Sequence, residues 1–228
     1  MRLPARHRKP WLATLCLAMV LALVSCGGGG GGGDGGFSSS DYQFLYLYNA
    51  SRLDGHTIRW AGIPITVSAG AFPDAATAFN RWRSASGGRV RFNFGGGSNI
   101  TVAYRTTTAY CGLTTIRWNS AGQIIDADII IARNQSGCAG GESDTLAHEV
   151  GHAIGFLGHD ASGLMNPYGG QPISDQESRF MSLLYSLSPG TDITGHLGKS
   201  RVSSGMYSKT GNRTYTLTIR EEASCALD

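Results

Sequence analysis

Hydrophobic positions along the chain repeat with two different periods, and the change of period marks its elements. Between residues 57 and 131 the period is mostly two. Thr57 to Ser68 reads as a strand broken at Gly62 and Pro64, and Val90, Phe92 and Phe94 alternate with polar residues. Ile100 to Tyr104 and Thr114 to Trp118 are further short strands. Gln123 to Ile131 is almost continuously apolar from Ile124, as expected of a strand covered on both faces. Phe37 to Leu53, with Phe44, Tyr46 and Tyr48 alternating, reads as a strand or a packed lead-in. Three stretches follow a helical period instead. Pro73 and Asp74 suit a helix start, and the helix they open ends at Gly87-Gly88. From Thr145 onward Leu146, Val150, Ala153, Ile154 and Leu157 fall at i, i+4, i+7, i+8 and i+11, the stripe of a helix docked on a core. Ser174 to Leu187 carries Phe180, Leu183, Leu184 and Leu187 on one side and stops at Pro189-Gly190. This order predicts an α+β domain, a twisted mixed sheet with the 145–155 helix packed beneath it and a C-terminal helix. Beyond residue 190, turn chemistry at Ser208 to Asn212 between two strand-like runs predicts a hairpin within a C-terminal extension, 191–228.

The N-terminus has a different composition. Arg2, Arg6, Arg8 and Lys9 precede an apolar run, Trp11 to Val24, that is short for a permanent membrane span. Residues 1–25 therefore read as a signal peptide. Leu23-Val24-Ser25-Cys26 resembles a bacterial lipobox, in which cleavage precedes a cysteine that is then acylated. Seven glycines follow Cys26 directly, and residues 26–36 suit a flexible tether between a lipid anchor and a domain. The expected location is the exported, lipid-anchored face of a bacterial envelope. Losing four of the 19 Lys and Arg with the signal leaves 15 against 16 Asp and Glu, a net charge near −1. The basic precursor charge thus belongs to targeting, and nothing argues for a nucleic-acid partner.

The candidate chemistry lies on the 145–155 helix, away from its apolar stripe. His148 and His152 stand four apart, which places both imidazoles on one helix face, a turn apart. Two imidazoles so placed can share a metal ion, for which zinc is the expected choice. Glu149 is one helical step round, poised for a metal-bound water rather than the metal. Gly155 allows the chain to turn back through a positive φ, and that turn swings His159 toward the same ion.

The run HEVGHAIGFLGHD followed by GLMNP resembles the metzincin clan of zinc endopeptidases, and within it the matrixin-like branch. The resemblance covers about residues 55–190, within a catalytic domain placed at 37–190, and Met165 matches the methionine of the clan's turn beneath the metal. It implies a zinc-dependent hydrolase of peptide bonds, with His148, His152 and a third residue as ligands and Glu149 as general base to a zinc-bound water. The clan's third-ligand position falls on Gly158, which has no side chain. His159, one place later, is the expected ligand, and Asp160 is the alternative. The substrate would be a peptide or protein and the chain a monomer. Two other readings use the same residues: a zinc-stabilised surface binding protein without turnover, and an amidase acting on cell-wall peptide.

Of five cysteines, Cys16 leaves with the signal and Cys26 is the lipid site. Cys111 and Cys138 flank the strands before the metal helix, and an exported chain permits a disulfide between them. Cys225 is then unpaired or competes for one of the two.

Overall fold

The computed structural model describes residues 36–70, 72–198 and 213–221. The signal, the lipobox cysteine, most of the glycine tether, the first arm of the expected hairpin and Cys225 lie outside them.

Helix α1 (Ser39–Tyr48) opens the described chain, where a strand or lead-in was expected. Its alternating aromatics are outweighed by a capping box. The Ser38 hydroxyl accepts from the Asp41 N–H, and the Asp41 carboxylate accepts from the Ser38 N–H at 2.6 Å. A short 3₁₀ turn, Ala50–Leu53, follows. The expected strand from Thr57 is reduced to β1 (Ile65–Ser68). Before it the chain makes only isolated bridges, His56 to Asp192 and Arg59 to Gln123, and passes a cis Ile63–Pro64 bond.

Helix α2 (Ala75–Ala85) crosses from β1 to its parallel neighbour β2 (Phe92–Phe94). Strands β3 (Ile100–Arg105), β4 (Gly112–Asn119) and β5 (Ile124–Ala132) precede α3 (Gly141–Ala153). Helix α4 (Asp175–Leu184) and β6 (Thr214–Glu221) complete the set. The six strands form one mixed sheet in the order β2-β1-β3-β5-β4-β6. β2, β1, β3 and β5 run parallel, and β4 runs antiparallel to both β5 and β6. The parallel core and the β1–α2–β2 crossover make this an α/β fold rather than the expected α+β, because parallel neighbours need a crossover through a helix. The mixed sheet with helices against it is as expected. Among the described residues no helix is long and apolar enough to cross a membrane.

One face of the sheet is covered. Helix α3 packs against β4, β5 and α2, and α4 packs against α1 and α2. Along β4 the residues Gly112, Thr114, Ile116 and Trp118 are buried, while their neighbours are half-exposed. The open face carries Arg117 paired with Asp126 and, at 2.7 Å, with Asp128. That face also corrects the reading of β5. Ile125 is 44 % exposed and Ile130 half-buried, so its apolar run is not covered on both sides.

Candidate metal centre

Helix α3 was expected to have one buried and one chemical face, yet every residue from Thr145 to Ala153 is buried. The apolar stripe meets the core as expected. The other side is covered by the chain returning over it. At its start Asp144 pairs with Arg81 of α2 at 2.5 Å. From its middle to its C-cap three aromatic side chains donate to carbonyls: Trp82 Nε1 to Ala147, Trp60 Nε1 to Ala153 and the Tyr185 hydroxyl to Ile154.

The helix ends before Gly155, whose φ of +115° makes the expected turn. A side chain there would also meet the Ile58 carbonyl at 2.9 Å, so glycine is required twice over. The next residues run back beside the helix and deliver His159. Gly158 is not left-handed; its lack of a side chain instead makes room for the Tyr48 ring, 3.1 Å from where a Cβ would stand.

Three imidazoles converge here. His152 Nε2 lies 3.0 Å from His148 Nε2 and 3.3 Å from His159 Nε2, and the three donor atoms all fall within 4.8 Å of one another. These residues could hold a metal ion. Their tautomers support the assignment. His148 Nδ1 faces the Leu164 carbonyl at 2.7 Å, and His152 Nδ1 faces the Phe156 carbonyl at 2.6 Å. A carbonyl accepts only, so both Nδ1 atoms carry the hydrogen and both Nε2 atoms present lone pairs to each other. Two lone pairs at 3.0 Å repel unless a cation lies between them, and pinning Nδ1 to a carbonyl is the usual support for a ligating histidine. Burial also keeps the rings neutral. It lowers the His148 pKa to about 3 and that of His152 well below its ordinary value, with the neighbouring imidazoles adding to the effect at both.

Asp160, the alternative third ligand, is engaged elsewhere. Its carboxylate accepts from the Tyr48 hydroxyl at 3.1 Å and from Ser162 at 3.2 Å, and its N–H donates to the Met165 carbonyl. The N-terminal segment holds the whole return loop. The Leu157 N–H donates to the Tyr48 carbonyl at 2.6 Å, and Asn49, fully buried, donates to both Gly155 and Ile58 carbonyls at 2.7 Å.

Met165 packs against α3 at Gly151. A Cβ on Gly151 would stand 2.6 Å from Trp82 Cζ2 and closer still to the Met165 sulfur, so the glycine lets that side chain reach the helix between the two histidines. The turn containing Met165 is fixed by Glu177, a fully buried carboxylate on α4. It accepts from the N–H groups of Leu164 at 3.1 Å, Met165 at 2.6 Å and Ser174 at 2.6 Å. Burial raises the Glu177 pKa despite those bonds. Ser174-x-x-Glu177 is a capping box visible in the sequence; the second task of Glu177, holding a turn 12 to 13 residues upstream, is not.

Glu149 does not join the converging donors. It is fully buried, with its carboxylate packed on β4, where a Cβ on Gly112 would stand 2.6 Å from Glu149 Cγ. The Thr114 hydroxyl donates to Oε2 at 2.5 Å, and Oε1 has no hydrogen-bond partner. The Glu221 N–H lies beside the carboxylate and weakly favours its charged form without the geometry of a full hydrogen bond. Desolvation dominates and raises the Glu149 pKa well above its ordinary value, and the nearby Glu221 carboxylate pushes it the same way.

Among the other described histidines, His196 is exposed and stacks on Tyr42 with ring centroids 4.0 Å apart. His56 is half-buried, with Nδ1 3.1 Å from the Leu53 carbonyl. Cys111 and Cys138 form the expected disulfide. No protein-family model matches the chain, and no curated protein does either.

Proposed function

We propose that the protein is a zinc-dependent endopeptidase of the metzincin kind, with His148, His152 and His159 as ligands and Glu149 as general base. It is exported and held at the bacterial envelope through Cys26. The observation that carries this reading is the convergence of three imidazole Nε2 atoms, two with Nδ1 pinned by carbonyls, on the helix that also bears Glu149. Bound zinc would supply Lewis-acid activation of a water and of the scissile carbonyl. Thr114 fixes Oε2 of Glu149, which leaves Oε1 as the atom to take a proton and later return it to the leaving amine. The mixed sheet packed on α3 and the methionine at Gly151 agree with the resemblance.

A second reading, a zinc-stabilised binding protein without turnover, is favoured by one observation: Glu149 is wholly buried, beside β6. Incubating the purified protein with unfolded casein, with and without a chelator, separates the two. Under the endopeptidase reading cleavage occurs and the chelator abolishes it. Glu149→Gln then keeps zinc and loses about 10²- to 10⁴-fold in rate, the usual worth of a general base. Retained zinc with no cleavage by the unaltered protein selects the binding module.

A further inference from the structure

We propose that β6 is a capping strand: seated along β4 it closes the approach to Glu149, and its release uncovers that residue. The functional meaning of this cap rests on the reading of Glu149 as the base; the cap itself rests on the geometry below.

The end of β6 sits where the cap is needed. Gly112 is the β4 residue against which Glu149 packs, and its partner across the β4–β6 ladder is Glu221. Glu221 is 1 % exposed and Glu149 is not exposed at all. The Glu221 Oε1 atom lies against Gly169, where it leaves no room for a side chain. The last residue of β6 therefore bridges from β4 to the loop that follows the Met165 turn.

This seat is poorly satisfied. Two carboxyl groups are buried side by side; Thr114 serves Glu149 and Thr145 interacts with Glu221, yet one oxygen of each, Oε1 of Glu149 and Oε2 of Glu221, lacks a hydrogen-bond partner. Buried polar atoms without partners are costly, and a purely structural strand end gains nothing from them. The rest of β6 holds on lightly. Along Thr214–Glu221 the side chains alternate between exposed and half-buried, and only Glu221 is buried. Among the described residues the strand lies at the edge of the sheet with β4 as its neighbour. By contrast β5 lies between β3 and β4, with Ile129 and Ile131 in the core. Strands held by ladder bonds with few core side chains open at lower free energy than those that fill the core. β6 therefore opens more readily than β5, and it opens from beside Glu149.

Thr115 and Thr218 face each other across the ladder, exposed, with hydroxyl oxygens 3.1 Å apart. In the full zinc-loaded chain, T115C/T218C places two thiols at a spacing suited to a disulfide that locks the strand. In the unaltered protein, hydrogen exchange at β6 amides should be faster than at β5 amides, and the oxidised double variant should slow it. The oxidised form should cleave casein about tenfold more slowly or worse, because the open fraction sets the rate. Reductant should restore the rate, with the unaltered protein under the same reductant as control for Cys111–Cys138. Leu217→Pro, which breaks strand geometry, should act in reverse, with faster exchange, faster cleavage and unchanged zinc content. A locked form that cleaves at the rate of the unaltered protein, or β6 amides as protected as those of β5, overturns the proposal. Lock-dependent exchange without cleavage by any form upholds the capping strand and removes the endopeptidase reading instead.

Discussion

At the scale of single residues the third ligand is the sharpest question, because there the chain departs from the pattern it otherwise resembles. His159 points Nε2 at the other two imidazoles, while Asp160 is held by Tyr48 and Ser162. His159→Ala should therefore lose most bound zinc on dialysis and all hydrolysis at neutral pH. Asp160→Ala should keep both at reduced level, since it removes an anchor of the loop and not a donor. Zinc content paired with hydrolysis rate for the two variants decides it, and zinc lost only in the Asp160 variant would reverse the assignment. The HExxH spacing made His148 and His152 legible from sequence alone, because helical geometry fixes i and i+4 on one face. Tyr48 and Asn49 gave no such signal; they act on residues more than 100 positions away.

Among the elements, α3 is held in register by neighbours that the periodicity could not reveal. The turn beneath its histidines depends on Glu177 of α4, which takes three backbone N–H groups into one buried carboxylate. Glu177→Ala should leave Leu164 and Met165 donors unpaired and cost about 2 to 4 kcal/mol, several times a neutral hydrogen bond. Ser174→Ala, which removes only the cap of α4, should cost about 1 kcal/mol. Denaturant unfolding of the metal-free protein measures both, and equal losses would mean that Glu177 serves the cap alone. The Met165 turn supplies the Leu164 carbonyl that pins His148, so zinc affinity should fall with Glu177→Ala and hold with Ser174→Ala. In α1 a local signal outweighs a pattern. Its aromatics alternate, but Ser38 and Asp41 spell a capping box, and the chain follows the cap.

For the whole molecule two predictions concern covalent ties. The Cys111–Cys138 disulfide closes a sequence separation of 27 residues between the start of β4 and the approach to α3. Replacing both cysteines with alanine should cost about 3 to 4 kcal/mol in the chain-entropy account, or about 10 °C in thermal midpoint for a domain of this size. A midpoint unchanged by the double replacement would mean that the native fold already restrains that loop. Cys26→Ser tests the envelope anchor. It should move the protein from the membrane fraction to the soluble one, or leave an uncleaved precursor, with zinc content unchanged. Unaltered protein recovered in the soluble fraction with a different N-terminus would remove the lipobox reading.

The sequence by itself determined the core helices α2, α3 and α4 and strands β2 to β5 to within a few residues, because each repeats at the period of its own backbone. It also placed two imidazoles on one turn and a glycine where α3 had to end. Tertiary structure decided what periodicity does not encode. β1 proved short, and β5 is covered on one face only, because strand neighbours and the side on which helices lie depend on topology. Glu149, readable as a base from its place beside His148, has its surroundings set by Gly112, Thr114 and Glu221, residues on two strands distant in sequence. The environment of a buried carboxyl is a property of everything packed around it, and that is assembled only when distant segments meet.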